Sequence, residues 1–432
     1  MLVSRRAFIL GSTAPVILAQ RRTAEPKPNI VLILAEDLGA WLLGCFGNKE
    51  IRTPNLDLLA RSGSRFASHS VSTLGSAASR ATLLTGRLPR QHGIEESPGP
   101  AGPPAKFRGE VLISDLLAAS GYECGFVGKW DFGEQAKPQH GFRAWSTLAA
   151  QERGPAFDSI TPNAVQFLEA RKPEQPFFLV VSHPSPRVPY DGYPQRYYDL
   201  YAKTAFDTLA WLPVVASASQ DRELMKDPVG SLRKCAAAIS ALDDQIPPLI
   251  SVLDKKGIRD RTLVIFTASN GLLAGRHGLW SAGRGSDPIN LYAEAVETPM
   301  IWNWPGKVPV EGARSELAGS YDLFPTLCEL AGVAAPKDRN LCGRSYLLPM
   351  TNQPLPRKEP WRSLVFASYG GAEMARDPRF KLVLRANGAG PNELYDVRAD
   401  PREFTNQYEN AQFLTVRNSL AESLRQWREK YV

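Results

Sequence analysis

Residues 76–87 read Ser76-Ala77-Ala78-Ser79-Arg80-Ala81-Thr82-Leu83-Leu84-Thr85-Gly86-Arg87, and the interpretation of the whole chain depends on this stretch. The small residues around Ser76 are typical of a helix start, so one interpretation makes this serine purely structural. The pattern continues through Arg80 into a Leu-Thr-Gly-Arg run, and this continuation favours a functional motif with Ser76 at its head. An unassisted serine is a weak nucleophile, so its chemistry depends on the residues around it.

Strand and helix patterns alternate on both sides of this stretch. Asn29–Ala35 is a continuous apolar run that predicts a buried central strand, and it delivers two acids, Glu36 and Asp37, at its end. Helical patterns occur at residues 56–62 and near residues 236–254. Further strand-like runs are residues 122–127, 177–182, 263–268 and 300–304. The alternation predicts an α/β fold built on a layered sheet.

The order of elements changes after Pro305 and Gly306. Short strand candidates fill residues 355–397, and residues 413–430 form an amphipathic helical pattern that ends the chain. We therefore expect a small C-terminal α+β unit packed on the main sheet. The predicted division is a leader and linker at residues 1–27, a main domain at 28–345 and a C-terminal subdomain at 346–432.

Composition excludes several functional classes. The 432 residues carry a net charge of +7, but the basic residues are scattered rather than clustered, so a nucleic-acid partner is not expected. The five cysteines contain no C-x-x-C pair, which excludes a zinc knuckle. Most of them stand in apolar surroundings typical of buried thiols, and we expect at most one or two disulfides.

The N-terminus carries a candidate export signal. Ser4-Arg5-Arg6-Ala7-Phe8-Ile9-Leu10 resembles a twin-arginine signal, and the apolar run that follows, residues 11–19, is too short for a structural membrane span. The expected location is the periplasm or the exterior of the cell. Cleavage of the signal and its retention as an N-terminal membrane anchor both remain open, because the small-residue pattern before the linker is a loose match.

An ordered series of short motifs accompanies Ser76–Arg87 along nearly the whole chain. It comprises Pro28-Asn29-Ile30, Glu36-Asp37-Leu38-Gly39, Gly44-Cys45-Phe46-Gly47-Asn48, Thr53-Pro54-Asn55-Leu56-Asp57, Gly128-Lys129-Trp130, residues 182–189, residues 265–271, His277-Gly278-Leu279-Trp280, residues 321–326 and residues 393–401. The series resembles the sulfatase family. This resemblance implies an alkaline-phosphatase-like α/β sandwich with a large, mainly parallel central sheet, plus a small C-terminal antiparallel α+β unit.

The resemblance also implies a site. Ser76 corresponds to the residue that sulfatases oxidise to formylglycine, and Ser76 with Ala78 and Arg80 matches the pattern used by a radical-type maturation enzyme. Arg80 corresponds to the Arg that contacts the metal-bound nucleophile, and Lys129 corresponds to a Lys that contacts the sulfate group. Both fixed cations suit the charge of a sulfate ester. The metal ligands, usually for calcium, correspond to Glu36, Asp37 and Asn270.

Several positions depart from the family pattern. Asp131 and Arg187 stand where sulfatases have His, Ser269 and Glu36 where they have Asp, and Ala282 where they have Lys. Arg187 can donate hydrogen bonds to sulfate but cannot act as an acid at neutral pH. Asp131 is expected to repel an anionic substrate. The reduced set of acidic ligands predicts weak or absent calcium binding.

Two functions follow from these observations. The leading hypothesis is an exported sulfuric ester hydrolase that acts on a sulfated carbohydrate through Ser76, with Arg80, Lys129 and Arg187 as the other catalytic residues. The alternative is a non-catalytic relative that binds a sulfated glycan or another anion. A two-zinc phosphatase is disfavoured, because the five histidines do not supply the ligands. His183 and His277 are either structural or compensating groups, and residues 202–231 are expected to shape the mouth of the pocket.

Overall fold

A large, mostly parallel β-sheet organises the molecule. The computed structural model describes residues 26–95, 107, 109–148, 157–207, 219–283, 285–356 and 360–432, so the predicted export signal lies outside the described residues. The eight-stranded sheet has the order β5-β4-β6-β1-β7-β8-β2-β9. The strands are β1 (Asn29–Ala35), β2 (Ser64–Phe66), β3 (His69–Ser70), β4 (Glu123–Gly128), β5 (Phe142–Thr147), β6 (Phe177–Ser182), β7 (Thr262–Ala268), β8 (Met300–Asn303), β9 (Gly312–Arg314), β10 (Ala318–Gly319), β11 (Val365–Tyr369), β12 (Ala372–Arg376), β13 (Phe380–Arg385) and β14 (Glu393–Asp396).

Helices cover both faces of this sheet. The α-helices are α1 (Pro54–Arg61), α2 (Ser76–Thr85), α3 (Pro89–His92), α4 (Ile113–Ala119), α5 (Phe157–Glu169), α6 (Gln195–Asp199), α7 (Ser219–Leu224), α8 (Pro228–Asp243), α9 (Ile246–Lys255), α10 (Ala293–Val296), α11 (Leu323–Ala331), α12 (Leu347–Met350) and α13 (Leu414–Tyr431). Within the described part of the chain, no helix is both long and apolar enough to cross a membrane.

The central strand shows why the fold is a sandwich. Successive side chains of a strand point to opposite faces, so the apolar run of β1 divides between two cores. Val31 and Ile33 join one buried cluster, whereas Ile30 and Leu32 join the other. Since β1 is buried on both faces, its continuous hydrophobic sequence is the one expected of a central parallel strand. This confirms the prediction for Asn29–Ala35.

The topology brings four strand ends to one edge. β1 pairs in parallel with β6 on one side and with β7 on the other, and β4 pairs in parallel with β6. The carboxyl ends of these four strands therefore lie side by side, and the residues that follow them meet. β8 runs antiparallel to β7 and closes this parallel group.

The C-terminal unit is a small antiparallel sheet with one long helix. β11, β12, β13 and β14 pair in that order, and α13 packs against them through Trp427, whose ring stacks on Phe366 with centroids 4.9 Å apart. Tyr321 from the main part of the chain belongs to the same apolar cluster. The predicted antiparallel unit is confirmed, whereas the boundary at residues 345 and 346 stays a prediction.

One helix prediction is wrong. The pattern near residues 236–254 is not a single helix, because α8 ends at Asp243 and α9 begins at Ile246. Pro247 and Pro248 lie in the first turn of α9, where a missing N–H does no harm. The Asp243 carboxylate accepts hydrogen bonds from the backbone N–H of Asn55 and of Leu56 at the start of α1, so the end of α8 also caps another helix.

The cysteines behave as buried thiols. None of the five forms a disulfide. Burial raises the pKa of the thiols to about 12 in Cys45, Cys124, Cys235, Cys328 and Cys342. Cys124, Cys235 and Cys328 are buried, which confirms the expectation of buried thiols for most of the five, whereas Cys45 and Cys342 are partly exposed.

Gly128 at the end of β4 is expected to be intolerant of any side chain. It has φ of +110°, and an added Cβ would lie 2.1 Å from the Ser182 carbonyl oxygen on β6. We expect Gly128→Ala to lower the free energy of unfolding by about 3 kcal/mol, through overpacking and backbone strain. Urea denaturation measures this loss.

Gly257→Ala is the matched control. Gly257 also has positive φ, +62°, but nothing lies within 4 Å of an added Cβ, so this variant should lose only about 1 kcal/mol. Equal losses for the two variants would show that the contact with Ser182 does not matter.

Candidate active site

Ser76 is the first residue of α2 and is nearly buried. Only 8 % of it is exposed, and its Oγ donates a hydrogen bond to Asn270 Oδ1 at 3.2 Å. The unsatisfied N–H groups at a helix N-terminus favour negative charge nearby. An oxygen on the side chain of residue 76 therefore lies where developing negative charge is stabilised. The sequence prediction of a helix start and that of a functional position are compatible, since one residue satisfies both.

Arg80 lies one turn further along the same helix. Residues four apart share a helix face, so Arg80 faces the same side as Ser76. Its side chain is 3 % exposed and forms an ion pair with Asp131, which follows β4. The Asp131 carboxylate also lies 3.3 Å from Lys129 Nζ. Asp131 thus forms ion pairs with both Arg80 and Lys129, the two cations that the sequence predicts as anion contacts.

Lys129 extends from the end of β4 toward the end of β1. Its backbone N–H donates to the Ser182 carbonyl at 2.8 Å, and this bond fixes the residue at the sheet edge. Its Nζ donates to both oxygens of Glu36, at 2.9 Å to Oε1 and 2.6 Å to Oε2. The close approach of Gly128 to the same Ser182 carbonyl explains why a glycine precedes this lysine.

The two acids that follow β1 are held in different ways. Burial alone would raise the pKa of Glu36, but the nearby cations Lys129, Arg187 and Arg80 outweigh it and hold this pKa well below its usual range. Glu36 is therefore an ionised carboxylate at neutral pH. Asp37 has φ of +57° and accepts a hydrogen bond from Asn270 Nδ2 at 2.6 Å. Burial raises the pKa of Asp37, and Arg187 opposes that effect.

Arg187 lies between these two acids. Its Nη1 donates to Glu36 Oε1 at 2.8 Å, and its Nε lies 3.9 Å from Asp37 Oδ2. The negative charge of Glu36 raises the pKa of Arg187 above its ordinary value, so the guanidinium stays charged. The side chain is nonetheless 45 % exposed, which leaves part of the guanidinium facing solvent.

All seven residues predicted for the site meet at one edge of the sheet. Contacts at hydrogen-bond or ion-pair distance join Ser76 to Asn270, Asn270 to Asp37, and Arg187 to both Asp37 and Glu36. Lys129 and Asp131 connect Glu36 to Arg80. The structure therefore brings the predicted residues together.

The predicted calcium ligands do not form a fitting donor set. Calcium takes about six to eight oxygen ligands. Both oxygens of Glu36 are engaged by cations, and Asn270 presents its amide nitrogen to Asp37. Among the described residues, no group of three or more His, Cys, Asp or Glu side chains is arranged to hold a metal ion. We therefore derive no step of the reaction through a metal.

The two histidines near the motifs are both buried. His183 follows β6, and burial lowers its pKa to about 3, so it is neutral at physiological pH. The His277 ring stacks on Tyr292 with centroids 3.8 Å apart, and its Nε2 lies 3.4 Å from Glu294. The ring contacts of His277 and the burial of His183 favour the structural interpretation of both residues over a compensating catalytic one.

One buried polar residue, Asp221, has no signal in the sequence. Asp221, in α7, is buried and accepts hydrogen bonds from the Ser281 backbone N–H at 2.7 Å and from its Oγ at 2.8 Å. Ser281 precedes Ala282, so α7 anchors the segment that contains Ala282. Asp221 lies within residues 202–231, which were expected to shape the pocket mouth, but no local pattern links it to Ser281.

Comparisons with known proteins decide the family. The family model described as Sulfatase matches residues 28–333, and the one described as N-sulphoglucosamine sulphohydrolase, C-terminal, matches residues 286–430. The chain belongs to the sulfatase family. This sulfatase is 33 % identical over 368 residues to arylsulfatase A of Homo sapiens, and the alignment covers 77 % of this chain and 68 % of that protein.

Two further relatives span nearly all of this sulfatase. The N-acetylglucosamine-6-O-sulfatase of Bacteroides thetaiotaomicron is 25 % identical over 504 residues, covering 94 % of this chain and 87 % of that protein. A solved structure of a protein in complex with its substrate D-glucosamine-2-N,6-O-disulfate superposes with a TM-score of 0.81 at 23 % identity, covering 94 % of this chain and 98 % of that one.

These comparisons confirm the predicted fold and the family assignment. The likeness to solved sulfatase-fold structures confirms the α/β sandwich with its mainly parallel sheet and separate antiparallel unit. Family membership supports sulfuric ester hydrolysis as the activity of this sulfatase and does not favour the alternative of a purely non-catalytic binding protein.

Proposed function

We propose that this sulfatase hydrolyses a sulfuric ester of a sugar, with residue 76 as the nucleophile after oxidation of Ser76 to formylglycine. The single observation that carries the proposal is the position of Ser76. Its Oγ lies at the N-terminus of a buried helix, is oriented by Asn270, and is followed one turn later by Arg80. A helix N-terminus and a fixed cation are what an attacking oxygen and a developing sulfate charge require.

The modification fits this position chemically. It removes two hydrogen atoms from the Cβ–Oγ group, so a radical-type maturation enzyme has to accept two electrons and two protons. A hydrated formylglycine supplies a nucleophilic hydroxyl and a second hydroxyl whose deprotonation releases the sulfate. Asn270, which already accepts a hydrogen bond from Ser76 Oγ, orients whichever hydroxyl faces it.

The other residues of the site bind the negative charge of the sulfate group. Lys129 and Arg187 are both held by Glu36, which fixes their positions through charge-assisted hydrogen bonds. Their remaining N–H groups, together with Arg80, are the donors that the sulfate oxygens meet. Because the pKa of Arg187 is raised by Glu36, this residue binds the sulfate without donating a proton. The departing alcohol then takes its proton from solvent.

The proposals for the substrate class and the cellular location rest on a relative and on the N-terminal sequence, and not on the geometry of the site. A sugar sulfate is supported by the relative that acts as an N-acetylglucosamine-6-O-sulfatase and spans 94 % of this chain. Export through the twin-arginine pathway to the periplasm is supported by the sequence of residues 4–10. That pathway carries folded proteins, so Ser76 would be modified in the cytosol before export.

Mass spectrometry of the peptide that contains Ser76 tests the proposal. We expect a loss of about 2 Da when the protein is co-expressed with a radical-type maturation enzyme, and fragment ions that place the change on residue 76. Ser79 lies in the same peptide and is the internal control, because it should keep its full mass. A Ser76 that stays unmodified in every preparation contradicts the proposed nucleophile.

A further inference from the structure

The acidic and basic side chains of the site balance one another. Glu36, Asp37 and Asp131 supply three acidic groups, and the basic groups Arg80, Lys129 and Arg187 contact them in ion pairs at 3.9 Å or less. A divalent cation added to this cluster would leave two positive charges without partners. Charges taken out of water are costly unless they are paired, so the cluster as built favours neutrality without a metal.

Arg187 contacts the oxygens that a metal would need. Its Nη1 donates a hydrogen bond to Glu36 Oε1, and its Nε lies 3.9 Å from Asp37 Oδ2. The guanidinium therefore contacts both acids that follow β1. The other Glu36 oxygen is held by Lys129 at 2.6 Å. Glutamate is one methylene longer than aspartate, and this length lets one carboxylate reach cations from two different strand ends.

The β7 side of the cluster is also organised around hydrogen bonds instead of metal ligation. Asn270 Oδ1 accepts from Ser76 Oγ at 3.2 Å and from Ser269 Oγ at 2.9 Å, while its Nδ2 donates to Asp37 Oδ1 and to the Gly271 carbonyl. A donor facing Asp37 occupies a direction that a cation would otherwise take. Ser269 contributes a neutral hydroxyl in this network.

We propose that Arg187 takes the place of a divalent cation in this sulfatase, so that the site binds the sulfate group of its substrate without calcium. The guanidinium is a planar cation with five N–H donors, of which Glu36 uses one at hydrogen-bond distance. Its side chain is 45 % exposed, so donors remain for an oxyanion entering from the cleft. Arg187 thus joins Glu36 and Asp37 on one side to the sulfate oxygens on the other.

The inference rests on the proposed function only for the identity of the ligand, a sulfuric ester. Its metal independence is measured by binding alone, so the two ideas can fail separately. If Ser76 stays unmodified but sulfate binds without calcium, the proposed nucleophile is contradicted and the proposed role of Arg187 is supported. If residue 76 is formylglycine but sulfate binding requires calcium, the proposed nucleophile is supported and the proposed role of Arg187 is contradicted.

Isothermal titration calorimetry of the full chain provides the test, with inorganic sulfate and calcium as probes. We expect no calcium binding tighter than about 1 mM, which is where the weakest ordinary protein sites lie. Sulfate affinity should be equal, within twofold, in buffers with calcium and with EDTA. Calcium binding tighter than this limit, or sulfate binding lost in EDTA, overturns the inference.

Arg187→Met gives a second, independent readout. It keeps an apolar stem and removes the charge, so sulfate affinity should fall by at least about tenfold. Calcium binding should become measurable, because Glu36 and Asp37 lose the one cation that contacts both of them. Arg425→Met is the matched control, because Arg425 also bridges two carboxylates, Glu422 and Glu429, but on the exposed helix α13. Unchanged sulfate affinity in Arg187→Met contradicts the inference, and the wild-type titrations decide it if that variant does not fold.

Discussion

Replacing Ser76 by alanine is expected to lower the turnover of a sugar sulfate by at least about 10⁴-fold, because removal of a nucleophile leaves only binding and electrostatic assistance. The fold should survive. The Ser76 hydroxyl donates a hydrogen bond to Asn270 Oδ1 at 3.2 Å, and the loss of this bond should cost about 1 kcal/mol of unfolding free energy. Turnover of the matured enzyme and urea denaturation measure the two effects separately.

Ser79→Ala is the matched control for this experiment. Ser79 is buried in the same helix, three residues beyond Ser76, so its replacement tests the general effect of removing a hydroxyl from α2. We expect Ser79→Ala to keep its turnover. A Ser76→Ala enzyme that retained more than about 1 % of wild-type turnover would place the nucleophile at another residue.

Much of the site could be predicted because the information is local. The continuous apolar run of β1 predicts a central strand, so the acids after it must lie at the carboxyl end of that strand. The same reasoning applies to Lys129 after β4 and to Asn270 after β7. Once the sheet is parallel, its topology makes these residues neighbours, and no detail of side-chain geometry is needed.

The pairing of the charges could not be predicted in the same way. Lys129 is a near neighbour of Asp131 in sequence, but the ion pair of Asp131 with Arg80 spans 51 positions and depends on how α2 lies against the end of β4. The bond between Asp221 and Ser281 spans 60 positions and likewise has no local pattern. Non-local contacts between side chains depend on register and packing, which a single sequence does not encode in short motifs.

The failed helix prediction has a different cause. The apolar periodicity of residues 236–254 continues through the break between α8 and α9, so periodicity alone cannot reveal it. The break serves a distant helix, since the Asp243 carboxylate accepts the N–H groups of Asn55 and Leu56. Pro247 and Pro248 are the local signal of this break, because they lack the N–H groups that would continue α8.

Asp131→Asn is expected to raise the affinity for inorganic sulfate about 100-fold, or about 2.7 kcal/mol. The Asp131 carboxylate is paired with Arg80 and lies 3.3 Å from Lys129 Nζ, so it competes with an incoming anion for both cations. Two like charges about 4 Å apart repel by about 4 kcal/mol at an effective dielectric constant of about 20. Asp131 is 25 % exposed, and this exposure screens part of the repulsion, which is why we expect the smaller value.

Asparagine is the right replacement because Asp131 has φ of +64°, a conformation that Asn tolerates as well as Asp does. Calorimetry with sodium sulfate at constant ionic strength gives the affinity, and Asp191→Asn, which removes an exposed carboxylate paired with Lys234, is the control. The buried Arg80 then lacks its carboxylate, so without sulfate the variant should lose about 3 kcal/mol of stability and regain much of it when sulfate binds. An unchanged affinity would show that the anion does not bind on Arg80 and Lys129, whereas the combination of lower stability and tighter binding would identify Asp131 as an internal occupant of the anion site.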